Sequence, residues 1–409
     1  MRRRIWTRNS GQHRAAIGRR HQHRRRYWRH GRRHRRRWRG TSTPTPTPTP
    51  TQFLDVAAET SFSAIGAFQS LAVTETGIAG REGPKIYQGN AATVRAPSGT
   101  ITYNPRDGIF TVNIAEQAAG VTTGVLRFQD PAHRSDNPFW GVPTNLTDFN
   151  FIEARGSTAR AANLAITPAD LGRIDEITFF YQRPGSQTNF VSLAGYTRNQ
   201  YDLTADPLVF KATTTTVFER GAMVFGTQTL RSQVPITGTA DYTGGLLATM
   251  VVNTSLSTDK RLPNYFQWIT GTAQLKLDFG RSTMSMLLTG TAAPVVYAGE
   301  VLAANASAIA GGTSFRAEGA GTIDLTSTGG FTGNFSSVCF GCATGDDPSK
   351  RFVVVDQRVN PNNSNAGANS IDGTFFGPNA VNVGGNFRVV GGIPDQRVDI
   401  LGAFTGAKK

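Results

Sequence analysis

Residues 271–291, GTAQLKLDFGRSTMSMLLTGT, set the strongest constraint on the fold. Apolar side chains occupy every second position on both sides of a Gly-Arg-Ser turn: Ala273, Leu275, Leu277, Phe279, Met284, Met286 and Leu288. Lys276 and Asp278 fall on the opposite face. This alternation predicts a β-hairpin with one buried and one solvated face, as in an antiparallel meander or barrel.

Other hairpin signals recur along the chain. The turn at residues 104–108, NPRDG, is followed by alternating apolar residues at 110, 112 and 114. Apolar segments at 177–181 and 190–196 flank Pro184-Gly185. One short helix is predicted at 167–171, with Thr167 as N-cap and Pro168 in the first helical position. Regular short strands favour a sandwich or barrel, and a strand at 398–404 near the chain end favours closure.

The positive charge is concentrated at one end of the chain. The formal net charge is +15, yet the first 40 residues hold 17 of the 43 Lys and Arg and none of the 28 acidic residues. The remaining 26 basic and 28 acidic residues leave the rest of the chain nearly neutral. A weakly charged chain rich in Gly and Thr is typical of an all-β domain with many turns.

Residues 1–40 are rich in Arg, His and Trp and cannot pack a core, so we expect them to be disordered. The Thr-Pro repeat that follows, within 41–52, favours an extended, semi-rigid linker. A basic arm would bind nucleic acid non-specifically, and its Trp rings would stack on bases. Nucleic-acid binding is therefore one alternative, although the rest of the chain offers no basic groove to continue it.

The most specific pattern is GTFFGPNAVNVGGNFRVVGG, residues 373–392. A strand through Phe375-Phe376 is predicted to break at Gly377-Pro378, because Pro cannot continue a β-ladder. Residues 379–383 would form a short excursion. Gly384-Gly385 would then let the backbone bend into a new strand at 387–390. Composition alone indicates an ordinary connection between strands.

The order of residues carries more information. The segment resembles the C-terminal β-barrel of the bacterial transferrin-binding protein B family, whose members carry the signature Gly-x-Phe-x-Gly-Pro-x-Ala-x-x-x-Gly-Gly-x-Phe. The matching residues are Gly373, Phe375, Gly377, Pro378, Ala380, Gly384, Gly385 and Phe387. Residues 234–244, VPITGTADYTG, are similar to the family's first barrel strand, and 401–409, LGAFTGAKK, to its closing strand.

The resemblance implies an all-β protein. We expect an eight-stranded antiparallel barrel over 234–409, a smaller β-rich region over 53–233, and the disordered segment before them. Small barrels fill their interiors with side chains, so Phe375, Phe376 and Phe387 are predicted to be barrel core rather than a ligand cage. The polar positions Lys276 and Asp278 argue against a membrane-spanning barrel, whose outer face would be apolar.

The resemblance also implies a function. Family members are non-enzymatic lipoproteins on the outer-membrane surface of Gram-negative bacteria. They bind an extracellular protein or small solute, here in iron or nutrient acquisition, often beside an outer-membrane transporter. Specificity in such folds resides in loops, and no loop here identifies the ligand or its contact residues. The second alternative is a structural envelope protein with no ligand.

A lipoprotein needs a signal peptide and a lipidated Cys, and neither is visible in the sequence as written. No apolar run is long enough for a transmembrane helix or a secretory signal. In GC-rich DNA, repeated CGG codons for Arg read as GGC, for Gly, when shifted by one base. We therefore hypothesise that residues 1–40 are a frame-shifted reading of a signal peptide and Gly-rich tether, which would supply the lipid anchor.

Cys339 and Cys342, in VCFGC, are the only cysteines. A redox CxxC would require a helix after a strand, and a zinc site would require two further ligands nearby. A small disulfide that braces a loop between strands is the interpretation we favour, and an oxidising compartment would support it.

No other pattern indicates catalysis, a cofactor or a metal. Asp346-Asp347 lack the ordered ligand spacing of a Ca²⁺ loop and are interpreted as solvated turn residues. His133 stands alone in a loop-like stretch, where a His is more often a surface residue, and no Ser lies in a nucleophile elbow that would indicate a catalytic triad. We therefore predict that the protein is not an enzyme.

Overall fold

Antiparallel strands make up most of the chain that the structure describes. This computed structural model describes residues 55–76, 85–114, 126–130, 132–136, 141–143, 145–156, 173–206, 211–253, 265–297, 300–301, 309–356, 369–391 and 397–409. The predicted segments at 1–40 and 41–52 and the predicted helix at 167–171 lie outside these residues. Within the described residues, no helix has the length and hydropathy to span a bilayer.

The first half of the described chain forms the N-side barrel. Its strands are β1 (Thr60–Thr76), β2 (Lys85–Ala91), β3 (Gly99–Asn104), β4 (Ile109–Ile114), β5 (Leu126–Gln129), β6 (Phe149–Gly156), β7 (Arg173–Gln182), β8 (Val191–Asp206) and β9 (Lys211–Gly226). The sheet runs β5-β4-β3-β1-β9-β8-β7-β6, and β2 pairs with β1 beside β3. The two edge strands of this sheet, β5 and β6, are brought together by a bridge between Arg134, which follows β5, and Ile152 of β6. The barrel is therefore nearly closed.

The second half forms the C-terminal barrel. Its strands are β10 (Thr239–Asn253), β11 (Tyr265–Asp278), β12 (Thr283–Ala292), β13 (Val296–Tyr297), β14 (Glu300–Val301), β15 (Ser314–Asp324), β16 (Gly330–Phe340), β17 (Phe352–Asp356), β18 (Asn369–Phe376), β19 (Asn382–Gly391) and β20 (Arg397–Lys408). The order β10-β11-β12-β15-β16-β18-β19-β20 closes because β20 pairs with β10. This confirms the predicted closed antiparallel barrel of eight strands; β17 adds to β16, and β13 pairs with β14 outside it.

The hairpin predicted at residues 271–291 is β11–β12. Asp278 pairs with Thr283, and the Asp278 carboxylate accepts a hydrogen bond from the Arg281 amide at 2.9 Å. The alternating apolar residues point into the barrel and are buried, whereas Lys276 is exposed. The hairpins predicted around 104–108 and 184–185 are also present, as β3–β4 and β7–β8.

The strand after the signature turn differs from the prediction. β19 begins at Asn382, so the excursion is shorter than predicted and Gly384-Gly385 lie inside the strand rather than before it. Gly385 pairs with Gly373 of β18. A Cβ atom at Gly385 would lie 2.2 Å from the carbonyl oxygen of Asp372. This glycine therefore permits close approach of two strands, not a bend.

Candidate functional site in the seam between the barrels

The two barrels share an apolar contact surface, which we call the seam. Its buried side chains are Ile65, Val142, Phe149, Phe180, Val191, Leu193, Ala222, Val224, Leu247, Trp268, Phe376 and Ala403. The rings of Phe180 and Trp268 meet edge to face, with centroids 5.7 Å apart. Because removal of apolar surface from water drives association, this cluster stabilises the packing of one barrel on the other.

Asparagine side chains of β19 add hydrogen bonds across the seam. The Asn386 amide donates to the carbonyl oxygens of Gly66 and Ala92, both at 2.8 Å. The Asn382 Oδ1 accepts from the backbone amides of Asn189 and Phe190, at 3.2 and 3.1 Å. These bonds satisfy backbone groups of the N-side barrel that would otherwise be costly to bury.

Gly377 of the signature lies beside residues 227–229, where the chain leaves the N-side barrel after β9. Its amide donates to the Thr227 carbonyl at 2.8 Å, and the Thr229 amide donates to the Phe375 carbonyl at 2.9 Å. Gly377 has φ of +71°, and a Cβ atom there would lie 2.5 Å from the Phe190 ring. The signature glycine therefore joins β18 to the connecting segment and to the N-side barrel.

The other signature residues divide between the barrel core and the turn. Phe375 and Phe387 are buried in the C-terminal barrel, where Phe375 contacts Phe331 with centroids 5.7 Å apart. The Ala380 carbonyl accepts from the Tyr242 hydroxyl at 2.7 Å. Phe376, predicted to be barrel core, lies instead in the seam, because neighbouring strand residues point to opposite faces.

Comparison with known proteins identifies the C-terminal barrel. Residues 234–409 match the family model described as the C-lobe and N-lobe β-barrels of transferrin-binding protein B. This barrel belongs to the transferrin-binding protein B family. No curated protein matches the chain.

Solved structures of transferrin-binding protein B are also similar to the chain, at low scores. A double mutant from Haemophilus parasuis Hp5 has 12% identity, a TM-score of 0.27, and coverage of 88% of this chain and 78% of that chain. The isotype 1 protein from serogroup B Neisseria meningitidis has 9% identity and a TM-score of 0.24, with coverage of 88% and 78%. Scores this low do not establish a common fold over the whole chain.

Three cavities open along the edges where the family barrel meets the N-side barrel. The first, which we call the Trp268 cleft, has a volume of about 530 Å³. Its walls are residues 141–143 and Asn145, Arg220, Phe266, Trp268, Thr270, 291–294 and 311–312. The indole Nε1 of Trp268 donates to the Gly141 carbonyl at 2.6 Å, and the Asn145 amide donates to the Thr270 hydroxyl at 2.9 Å. These two bonds hold the N-side wall of the cleft against β11.

The second cavity, the Arg95–Arg231 cleft, has a volume of about 470 Å³. Arg95 donates from Nε to the Ser327 carbonyl at 2.8 Å, and Arg231 donates to the Thr326 hydroxyl at 2.8 Å. Both guanidinium groups therefore bind the turn between β15 and β16. The charge of Arg231 also helps to lower the pKa of Asp324, after the hydrogen bonds from Ser327 and Thr326.

The third cavity, the Asp372 cleft, has a volume of about 460 Å³ and lies between residues 91–93 and strands β15, β16 and β18. The Asp372 carboxylate accepts from the Val94 amide at 2.6 Å. Burial raises the pKa of this carboxyl from 3.8 to about 6, and the Val94 hydrogen bond opposes that shift. Asp372 is therefore a proton-sensitive contact between the barrels.

The two cysteines lie at the end of β16, far along the chain from the signature. Cys339 is the penultimate residue of the strand and Cys342 follows the turn at Gly341. Their Cα atoms are 6.1 Å apart, a separation that a disulfide can bridge. The arrangement is compatible with the favoured interpretation, and the disulfide remains a prediction.

The other candidate residues occupy separate places. The His133 ring accepts a hydrogen bond at Nδ1 from the Gln129 amide, at 2.6 Å, near the closure of the N-side barrel. Asp346 accepts from the Ala343 amide at 2.6 Å, and Asp347 accepts from the Ser349 amide at 2.9 Å. In the described part of the chain, no group of three or more His, Cys, Asp or Glu converges on a common point.

Sequence patterns did not predict the three clefts. Arg220 and Trp268 line one cleft but belong to different barrels, and no local pattern connects them. The available signal was a run of polar residues within strand-like segments, such as Arg198-Asn199-Gln200, which are all buried. Polar residues inside such a segment indicate a packed polar contact, but they do not identify its partner.

Proposed function

We propose that this protein is a surface lipoprotein of a Gram-negative outer membrane that captures an extracellular protein for iron or nutrient acquisition. The observation that carries the proposal is the match of residues 234–409 to lobe barrels of a protein named for binding transferrin. Closed barrels fix the ends of their loops, and such loops are well suited to hold a partner. The family is one of binding proteins, so we propose a non-enzymatic role.

The same resemblance supports a lipid anchor ahead of the Thr-Pro linker and an outer-membrane transporter that acts beside the protein. The linker would hold the two barrels away from the membrane surface, because alternating prolines favour an extended chain. Residues 53–233 and 234–409 remain our proposed domain boundaries.

The proposal is tested with the full chain, purified from the membranes of the bacterium that encodes it and then immobilised. Host serum or secretions are passed over it, the column is washed at about 1 M salt, where charge interactions are strongly screened, and retained proteins are identified by mass spectrometry. We expect one extracellular protein, an iron carrier in the first instance, to survive the wash and to bind the purified chain saturably.

Two other results would contradict this proposal. Retention of DNA or RNA alone, lost at high salt and lost when residues 1–40 are removed, would favour nucleic-acid binding. Retention of no ligand from any host fluid would favour a structural envelope protein. Protease treatment of intact cells tests location, because a surface protein is cleaved while periplasmic proteins are protected.

A further inference from the structure

The Arg95–Arg231 cleft brings two guanidinium groups to one residue of the C-terminal barrel. A terminal nitrogen of Arg95 donates to the Thr326 carbonyl, and a terminal nitrogen of Arg231 donates to the Thr326 hydroxyl at 2.8 Å. Arg95 lies between β2 and β3, and Arg231 lies in the connection between β9 and β10. Because both groups bind oxygens of the same residue, two positive charges from distant parts of the chain lie close together.

Neutral groups hold these two side chains in place. Arg95 also donates from Nε to the Ser327 carbonyl at 2.8 Å. In the part of the chain that the structure describes, neither guanidinium forms an ion pair with a carboxylate, and the wall of the cleft contains no acidic side chain. Asp324 interacts with Arg231 at longer range, and its carboxylate already accepts from the Thr326 and Ser327 amides. One carboxylate in the adjoining turn therefore opposes two guanidinium groups in the wall.

Each guanidinium retains donors for a ligand. An arginine side chain has five N–H groups. The bonds to the turn use two of them in Arg95 and one in Arg231. The side-chain amide of Gln228, which is exposed on the same wall, adds a further donor. Since the planar fork of arginine matches a carboxylate and is always charged, this set of donors is suited to an anion.

The size of the cleft favours a molecule rather than a single ion. Its volume of about 470 Å³ lies within the usual range for small-molecule sites, roughly 300–1,000 Å³. Ligand sites also occur preferentially where folded units meet, as the two barrels do here. A molecule with two acidic groups can place one on each guanidinium, and the second contact then forms as an intramolecular event that strengthens binding.

We propose that the Arg95–Arg231 cleft binds a small dicarboxylate. One carboxylate faces Arg95, the other faces Arg231, and the Gln228 amide lies beside them. This site is independent of the proposed capture of an extracellular protein, so either proposal can fail without the other.

The test uses three probes of nearly the same shape on the full chain. Succinate carries two carboxylates, succinamate carries one, and succinamide carries none. Isothermal titration calorimetry at low salt is expected to show that succinate binds at least about tenfold more tightly than succinamate, because only the dianion makes the second charge-assisted contact. Succinamide should bind more weakly than either. Equal affinities for succinate and succinamate would overturn the proposal.

Inorganic phosphate distinguishes a dicarboxylate site from a general anion site. Its charge is held on one centre, so it fills less of the cleft and cannot supply two separate carboxylates. We expect phosphate to bind at least about tenfold more weakly than succinate under the same conditions. Phosphate binding as tight as that of succinate would overturn the assignment to a dicarboxylate.

Variants locate the site. R95Q and R231Q each remove one guanidinium, and each is expected to reduce succinate affinity to that of succinamate for the unaltered protein. Q228E keeps the size of the side chain and adds a negative charge to the wall, so it should weaken succinate binding at least about tenfold. These three variants change charge at exposed positions and leave the apolar contacts between the barrels intact.

Matched controls test whether these effects belong to the cleft. Arg183 is also exposed and donates to a backbone carbonyl, that of Thr147, at 2.9 Å. Gln274 is exposed on β11 and does not line the cleft. R183Q and Q274E should therefore bind succinate as the unaltered protein does.

Unchanged succinate affinity in R95Q and R231Q would overturn the proposal, as would an equal loss in R183Q. Circular dichroism establishes that each variant is folded. If the arginine variants do not fold, the comparison of Q228E with Q274E still decides the question, because both glutamines are exposed. Equal succinate affinities for these two variants would then overturn the proposal.

Discussion

At the scale of single residues, Asp372 opposes folding at neutral pH. Its pKa is raised from 3.8 to about 6 by burial, so the folded state binds a proton more tightly than the unfolded state. A raised pKa contributes stability that is fully present below pH 3.8 and is lost as the pH rises through about 6. We expect D372N, whose amide oxygen can still accept from Val94, to be more stable than the unaltered protein above pH 6 and similar to it near pH 4.

Chemical denaturation at several pH values measures this difference. Asp324 provides a control of opposite sign, because hydrogen bonds from Ser327 and Thr326 lower its pKa. D324N should therefore lose stability at neutral pH, and its deficit should shrink as the pH falls through the lowered pKa. A constant difference between D372N and the unaltered protein at every pH would contradict the prediction.

Gly377 tests the role of the signature turn. G377A would introduce a left-handed Ala and a clash with the Phe190 ring, 2.5 Å from the new Cβ atom. We expect a loss of roughly 2–4 kcal/mol in the free energy of unfolding. G238A is the matched control, because Gly238 has φ of +82° and nothing within 4 Å of the Cβ position.

The difference between the two variants isolates the contact with the N-side barrel. G238A should lose only the backbone part of the effect, about 1–2 kcal/mol. Urea denaturation followed by circular dichroism measures both. Equal losses for G377A and G238A would mean that the Phe190 ring makes room for a Cβ atom at position 377 at no cost in stability.

At the scale of elements, the turn between β16 and β17 tests the predicted disulfide. A bond between Cys339 and Cys342 would close a very short loop, so the chain-entropy model gives a stabilisation of only about 2 kcal/mol. We expect the C339S/C342S double variant to fold and to lose no more than about that amount. Alkylation of the unreduced protein, followed by mass spectrometry, should leave both cysteines unmodified; modification of either would contradict the prediction.

Alternation alone predicted the strands with one wet face; of the strands buried on both faces, β7 and β8 were predicted from the Pro184-Gly185 turn between them, whereas β1 was not. β11 and β12 alternate because only one of their faces meets the core. In β1, residues 64–71 are buried at every position, because one face lines the N-side barrel and the other packs in the seam. Such a strand has no period of two, so its partners cannot be inferred from local pattern.

The signature shows the same limit at finer detail. Its order was sufficient to indicate the barrel family, and its turn at Gly377-Pro378 is where the sequence placed it. The predicted start of β19 and the predicted inward direction of Phe376 were wrong, because both depend on what packs against these strands from outside the barrel. Long-range pairing, such as that of β1 with β9, likewise has no local signal.

At the scale of the whole molecule, two barrels with a shared seam behave differently from two barrels on a flexible tether. The seam buries apolar side chains and also contains hydrogen bonds from Asn382 and Asn386 to backbone groups of the other barrel. A host protein bound by loops of both barrels would then be held by one surface.

The nature of the N-terminal segment determines the cellular location of the protein. If residues 1–40 are a frame-shifted reading, protein made from its own gene in its own host's membranes should begin with a lipid-modified Cys. A Gly-rich peptide should follow and run into the Thr-Pro repeat of residues 41–51. Mass spectrometry of the mature N-terminus measures this directly, and the codons of the gene supply the control: CGG should dominate among the arginines.

An N-terminus that carries the arginines would show that the tail is translated. Its 17 basic residues, with no acidic residue among the first 40, would then make polyanion binding the first activity to measure.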